Sequence, residues 1–116
     1  MTKSNYALHG EANNALWAHI ALPHGSDTSC YWSPITDDPN GLWSRDLHWW
    51  EGHDSESTVA ICGNQFSDGR VEREIEVFFD NEARGPISAS AAARGLAARL
   101  LEAAERLDEI DAELTR

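Results

Sequence analysis

The stretch ISASAAARGLAARLLEAAERLDEIDAEL, residues 87–114, decides the fold of this chain. Its apolar residues recur at alternating spacings of three and four, the repeat of an amphipathic helix. They are Ala89, Ala93, Leu96, Leu100, Ala103, Leu107, Ile110 and Leu114. The charged residues lie off this stripe, so the sequence predicts one helix over 88–114 with Ser88 as its N-cap. Gly95 interrupts the helical pattern, which we interpret as a close approach to the sheet.

The segment before this helix predicts a β-hairpin over 58–79. Both of its arms are rich in apolar and β-branched residues, and Asp68-Gly69 between them supplies the positive φ values of a two-residue turn. Such a turn creates one wholly apolar face for the helix to cover. The predicted pairs on that face are Phe66 with Val71, Cys62 with Ile75, and Ala60 with Val77.

The first half of the chain has weaker patterns. Residues 15–22 alternate between apolar and polar side chains, which predicts a half-buried strand, and residues 42–50 predict another after a turn at 36–41. Residues 1–5 are expected to be frayed. We therefore predict an α+β fold in a single domain over 1–116, with an antiparallel sheet of about four strands and one long C-terminal helix packed on one face.

The composition narrows the class of protein. At 116 residues and 41% hydrophobic, the chain suits one core. Its 20 acidic and 9 basic residues give a net charge of -11, which repels nucleic-acid phosphates and anionic membranes. We expect neither direct nucleic-acid binding nor membrane association, and without a leader pattern we expect a cytoplasmic location. The acidity favours solubility, and the alternative is a functional acidic surface that mimics nucleic acid or binds a basic partner.

The middle of the chain is rich in tryptophan, with four of its five Trp residues between positions 32 and 50. Trp49 and Trp50 are adjacent, and on a regular strand they would point to opposite faces, so both could not enter one core. Tryptophan is also enriched at binding hot spots. We therefore predict a partner-binding region at Trp43, Trp49, Trp50 and His48, with core or lid packing as the equal alternative.

Cysteine and histidine residues raise the question of a metal site. Cys30, His48, His53 and Cys62 could form a zinc site on paper, but zinc ligands usually come in short pairs, and here only the two histidines are close. We predict no metal, no cofactor and two structural thiols. We also predict no catalytic residues, because no Ser or Cys has a base and an orienting group at a suitable spacing. A small metal-dependent or hydrolytic enzyme built on these four residues is the alternative.

The C-terminal helix raises the question of a dimer. A helix over 88–114 would measure roughly 40 Å, whereas the strand over 71–79 would measure about 30 Å. Part of the apolar stripe should therefore extend past the sheet. Leu107, Ile110 and Leu114 would then need cover from the N-terminal segment or from a second copy, so a helix-mediated homodimer is the alternative to packing on the sheet.

The order of these segments resembles that in a known group of proteins. The run STVAICGNQFSDGRVEREIEVFFDNEARGPISASAAARGLAARLLEAAERLDEID, preceded by SCYWSP and DLHWWEGH, is similar to the C-terminal half of small uncharacterised proteins of actinobacteria, their phages and plasmids. The resemblance covers about half the chain and carries over no catalytic residues, because none are established for these proteins. It implies an accessory protein, and we predict a non-enzymatic protein–protein interaction with a host protein.

Overall fold

A computed structural model describes residues 5–38, 40–79 and 89–114 of the chain. Their helices and strands are α1 (Asn5–Leu16), β1 (Ser33–Pro34), β2 (Trp43–His53), β3 (Ser57–Phe66), β4 (Val71–Phe79) and α2 (Ser90–Leu114). The strands form one antiparallel sheet in the order β1-β2-β3-β4, so β4 is an edge strand of the sheet that these residues build. The predicted α+β class, with a four-stranded sheet and a long C-terminal helix, is confirmed.

The chain divides into two compact units. Unit 1 comprises Met1–Leu47 and Gly63–Glu72, and unit 2 comprises His48–Cys62 and Arg73–Arg116. Strands β2, β3 and β4 each contribute residues to both units. Each unit has its own set of packed side chains, which are mainly aromatic in unit 1 and form an apolar cluster in unit 2.

Unit 2 is built on a small apolar cluster. Val59 and Ile61 of β3 and Ala103 of α2 are fully buried at its centre. Partly buried side chains pack against these three residues; they are Trp49, Trp50, Ile75, Leu96, Leu107 and Ile110. The α2 members of the cluster belong to the predicted stripe. An ion pair between Arg73 of β4 and Asp111 of α2 adds a second link between strand and helix.

The start of α2 can be followed from Ala89, whose carbonyl oxygen accepts a hydrogen bond from the Ala93 N–H at 3.2 Å. The predicted N-cap, Ser88, lies outside the described residues. The helix continues to Leu114, the last residue that the structure describes. The prediction that Gly95 approaches the sheet is wrong, because the group that a Cβ at this position would meet is the carboxylate of Asp54. Asp54 lies in the β2–β3 turn, and not in a strand.

The hairpin register predicted from Asp68-Gly69 is wrong by one residue. The Gly69 N–H donates to the Phe66 carbonyl at 3.0 Å and the Phe66 N–H donates to the Arg70 carbonyl at 2.9 Å, so the loop contains three residues. Within this loop only Gly69 has a positive φ, of 97°. This is the pattern of a turn with a glycine bulge, which is a common three-residue hairpin connection.

That single residue changes which side chains of β3 lie under the helix. With Phe66 opposite Arg70, a regular ladder sets Ile61 opposite Ile75, and both of these residues pack in the unit 2 cluster. Cys62, predicted to face the helix, is only half-buried. The reason is geometric, because side chains alternate along a strand and a one-residue shift exchanges its faces.

The first described element of unit 1 is a helix, which overlaps the start of the strand predicted at 15–22. Residues 5–16 form α1, and hydrogen-bonded turns follow it at 17–20. The side chains of Asn13 and Asn14 each make a 3.0 Å hydrogen bond to the backbone of Trp32. A helix stabilised by amide groups has no apolar stripe, so periodicity did not reveal it. The predicted strand 15–22 is therefore wrong, and Leu16 and Leu22 are exposed.

The remaining parts of unit 1 follow the sequence more closely. In the predicted turn at 36–41, the Gly41 N–H donates to the Asp38 carbonyl at 2.8 Å. Pro39, within this turn, is not among the described residues. Strand β1 pairs antiparallel with β2 through Ser33 opposite Ser44. The predicted strand at 42–50 is confirmed and continues to His53.

Candidate interaction surface

Three tryptophans of unit 1 form one aromatic cluster around α1 and β2. Trp32 is 1% exposed, and the ring of Trp17 lies 6.0 Å from those of Trp32 and Trp43. The indole nitrogens of Trp17 and Trp43 are buried. Trp43, predicted to bind a partner, thus has a packing role inside its own unit.

Arg45 links this aromatic cluster to the neighbouring strand and loop. Its guanidinium lies 4.8 Å from the ring centroid of Trp32, a cation–π contact. It also donates to the Gln65 side chain at 2.8 Å and to the Ile20 carbonyl at 3.2 Å. Burial lowers the pKa of Arg45. Gln65 donates in turn to the Ala21 carbonyl at 2.8 Å, so this polar network stabilises the 20–21 backbone.

Trp49 and Trp50 lie in unit 2, where both pack against the Val59, Ile61 and Ala103 cluster. The inference that two adjacent tryptophans cannot share a core is therefore wrong at this pair. Strand β2 does not keep strict alternation, since Leu47 and Gly52 are both buried although they lie five residues apart. The Trp50 ring also covers Gly52, where a Cβ would lie 2.7 Å from the indole.

His48, the fourth predicted contact residue, belongs to a small polar group on unit 2. Its Nε2 lies 3.4 Å from one oxygen of Glu51, and His53 Nε2 lies 3.1 Å from the other. The second ring nitrogen of His53 is 2.9 Å from the Thr58 hydroxyl. The four predicted contact residues are thus divided between the units, with Trp43 in unit 1 and the other three in unit 2.

The cysteines give no support to a metal or nucleophilic site. Cys30 belongs to unit 1, where its thiol donates to the Asp46 carboxylate at 3.5 Å. Burial and the neighbouring Asp46 raise the pKa of Cys30, which disfavours the reactive thiolate. Cys62 belongs to unit 2, as do His48 and His53. Across residues 5–38, 40–79 and 89–114, no group of three or more His, Cys, Asp or Glu side chains could hold a metal ion.

The proposed dimer seam is largely occupied within the chain. Leu107 and Ile110 pack against the unit 2 cluster, so the sheet and helix cover two of the three residues that were expected to need a second copy. Leu114, the third, is half-buried. The exposed apolar residues of α2 lie elsewhere, at Leu100 and at Leu101, which is 69% exposed.

The end of β4 is the apolar surface that the predicted site residues missed. Val77, Phe78 and Phe79 are consecutive and are 38%, 50% and 42% exposed. Single exposed apolar residues are normal on a protein surface. Three in succession on an edge strand are different, because an edge also offers backbone hydrogen-bonding groups to another strand. We call the unit 2 part of this strand, residues 73–79, the β4 edge.

The β4 edge has two chemically distinct faces. Val77 and Phe79 share a face with Ile75, which packs in the unit 2 cluster, while Phe78 lies on the other face with Glu74 and Glu76. The sequence contains the signal for this surface. The alternation of VEREIE stops at VFF, where three apolar residues follow one another.

Comparison with known proteins adds no family to these observations, since no family model, no curated protein and no solved structure matches the chain. The resemblance to actinobacterial and phage proteins stays a prediction. Among the helical segments that the structure describes, none has the length and apolar character to cross a membrane.

Proposed function

We propose that this chain is a non-enzymatic accessory protein that binds a protein partner through the β4 edge. The observation that carries the proposal is the exposure of three consecutive apolar side chains, Val77, Phe78 and Phe79, on an edge strand. Water contact with so much adjacent apolar surface is unfavourable, and a bound partner would remove it. The partner proposed from the sequence is a host protein in the cytoplasm, with the chain encoded by a phage or a mobile element.

Site-specific photo-crosslinking tests this function. A photoreactive phenylalanine analogue replaces Phe79 in one variant and Leu8, exposed on α1, in a control variant. We expect the Phe79 probe to crosslink a discrete protein from a host lysate and the Leu8 probe to miss it. Adding Val77→Lys should abolish that crosslink, because a charge replaces apolar contact surface.

A second variant separates this proposal from the prediction based on tryptophan. Trp50→Ala removes a ring that packs in the unit 2 cluster. If the variant keeps its helical circular dichroism and also keeps the Phe79 crosslink, the β4 edge is the binding surface. Identical crosslinked species from the Phe79 and Leu8 probes would refute the proposal.

A further inference from the structure

We propose that the occupant of the β4 edge is an extended segment of a partner protein in which basic and apolar residues alternate, added as a further strand of the sheet. This inference rests on the proposed function and specifies the chemistry of the partner. Strand addition supplies main-chain hydrogen bonds along the edge, and alternate side chains supply specificity. The residues of β4 indicate both the direction of the main-chain hydrogen bonds and the side chains that would pair with an added strand.

The hydrogen-bonding geometry follows from the hairpin turn. The Phe66–Arg70 bond means that residues of even number in β4 direct their backbone groups towards β3. Residues of odd number therefore direct theirs to the outer side of the edge. Within the exposed apolar part these are Val77 and Phe79.

The side-chain chemistry follows from the two faces. A new strand would place alternate residues beside Glu74 and Glu76, where lysine or arginine forms favourable cross-strand pairs. Its other residues would lie beside Ile75, Val77 and Phe79, where apolar side chains are favoured. The net charge of -11 on the whole chain acts in the same direction, since it attracts a basic segment from a distance.

The same charges disfavour a second copy of the chain as the occupant. In an antiparallel pair of identical β4 strands, a register centred on residue 74, 75 or 76 sets two of these glutamates directly opposite each other. Like charges in that position are destabilising. A register centred nearer Phe79 avoids the clash but pairs less of the strand. Two copies would also bring together net charges of -11 each.

Defined peptides test the proposal on the intact chain, with binding measured from the amide NMR signals. One peptide alternates lysine with valine, and its control has the same composition with the two residues arranged in pairs. Both carry the same charge, but only the first can present all its lysines on one face of a strand. We expect the alternating peptide to shift the β4 amides and to bind about tenfold more tightly than the control.

Backbone methylation makes the peptide test specific for strand addition. Two further alternating peptides carry N-methyl groups, one on the odd and one on the even residues, so that each lacks the donors of one edge. We expect one of them to lose binding and the other to retain it, because only one edge of an added strand faces β4. Equal binding by both, or by the alternating and paired peptides, would overturn the proposal in favour of simple charge attraction.

Protein variants complete the test. Glu74→Lys should weaken binding of the alternating peptide several-fold, whereas Glu105→Lys on an exposed site of α2 makes the same change in net charge and should have little effect. Equal losses in the two variants would contradict a specific role for the edge.

Self-association that Phe78→Lys abolishes would make a second copy the occupant and would also overturn the proposal. If the Phe79 crosslink persists while the peptides fail, the proposed function stands and this partner chemistry is wrong.

Discussion

The two units of the chain are stabilised in different ways. Unit 2 has a cluster of Val59, Ile61 and Ala103, in which aliphatic side chains from a strand and a helix exclude water. Unit 1 has aromatic rings and hydrogen bonds between side chains and backbone. Those bonds join residues far apart in the chain, 18 apart for Trp32 with Asn14 and 44 apart for Gln65 with Ala21. An apolar stripe can therefore be predicted from a sequence, because it repeats locally. A network of polar contacts between distant residues cannot be predicted in this way.

The largest effect is expected from the centre of unit 2. Ile61→Ala removes a fully buried side chain and should lower the free energy of unfolding by about 2–5 kcal/mol, from lost apolar burial and the cavity left behind. Urea unfolding monitored by circular dichroism measures the change. Ile35→Ala, at an exposed site of unit 1, is the control and should change stability by less than about 0.5 kcal/mol. Equal effects at the two sites would contradict the assignment of this core.

The polar network of unit 1 should give the next largest effect. Gln65→Met keeps a similar length but removes one of the two hydrogen-bond acceptors of Arg45 and the donor to the Ala21 carbonyl, at a cost of about 1–3 kcal/mol in urea unfolding. Methionine at both 45 and 65 should cost less than the sum of the two single changes, because no guanidinium is then left unsatisfied. Simple additivity would mean that the two side chains are not energetically coupled.

A smaller effect tests the contact between α2 and the β2–β3 turn. Gly95→Ala should add about 1 kcal/mol of helix stability, but the new Cβ must displace the Asp54 carboxylate from its 2.7 Å hydrogen bond with the Ser55 N–H. We expect no net gain in the wild-type background and a gain of about 1 kcal/mol in an Asp54→Ala background.

A control and a thermodynamic cycle make the Gly95 test decisive. Ala104→Gly, at an exposed position of the same helix, should cost about 1 kcal/mol and calibrates the intrinsic helix preference. Thermal unfolding of the four proteins in the Gly95 and Asp54 cycle measures the coupling. The same gain in both backgrounds would show that the turn does not constrain this helix position.

The smallest effect is expected at the ion pair between β4 and α2. Asp111→Asn breaks its contact with Arg73 and should cost about 0.2–1 kcal/mol, because both side chains are partly exposed to water. The cost should shrink as salt is added. Asp108→Asn on the exposed side of α2 makes the same charge change as a control. A larger effect at Asp108 would contradict the ion pair.

The sequence predicted unit 2 better than unit 1, and none of the predicted contact residues lies in the β4 edge. The stripe from Leu96 to Ile110 identified the helix and four residues that pack in the unit 2 cluster, but Leu100 of the stripe is exposed and the buried Ala92 lies off it. The same reasoning failed at residues 15–22, because alternation in a short apolar segment does not distinguish a strand from a helix with turns. At Trp49 and Trp50 it failed because alternation assumes a regular strand. In the sequence, Val77, Phe78 and Phe79 break the alternation of β4. The exposed fractions of these side chains in the structure are needed to show that they form a surface.

By itself the sequence determined a hairpin followed by a long C-terminal helix, since the repeats of a strand and of a helix are local properties of the side chains. It also determined the strong negative charge, which disfavours nucleic acids as partners. The tertiary structure alone decided the hairpin register, because the two-residue and three-residue loops that Asp68-Gly69 allows differ by one position. It also decided which apolar side chains remain exposed at the β4 edge. Exposure depends on which elements lie beside a strand, and this is not encoded in the strand's own residues.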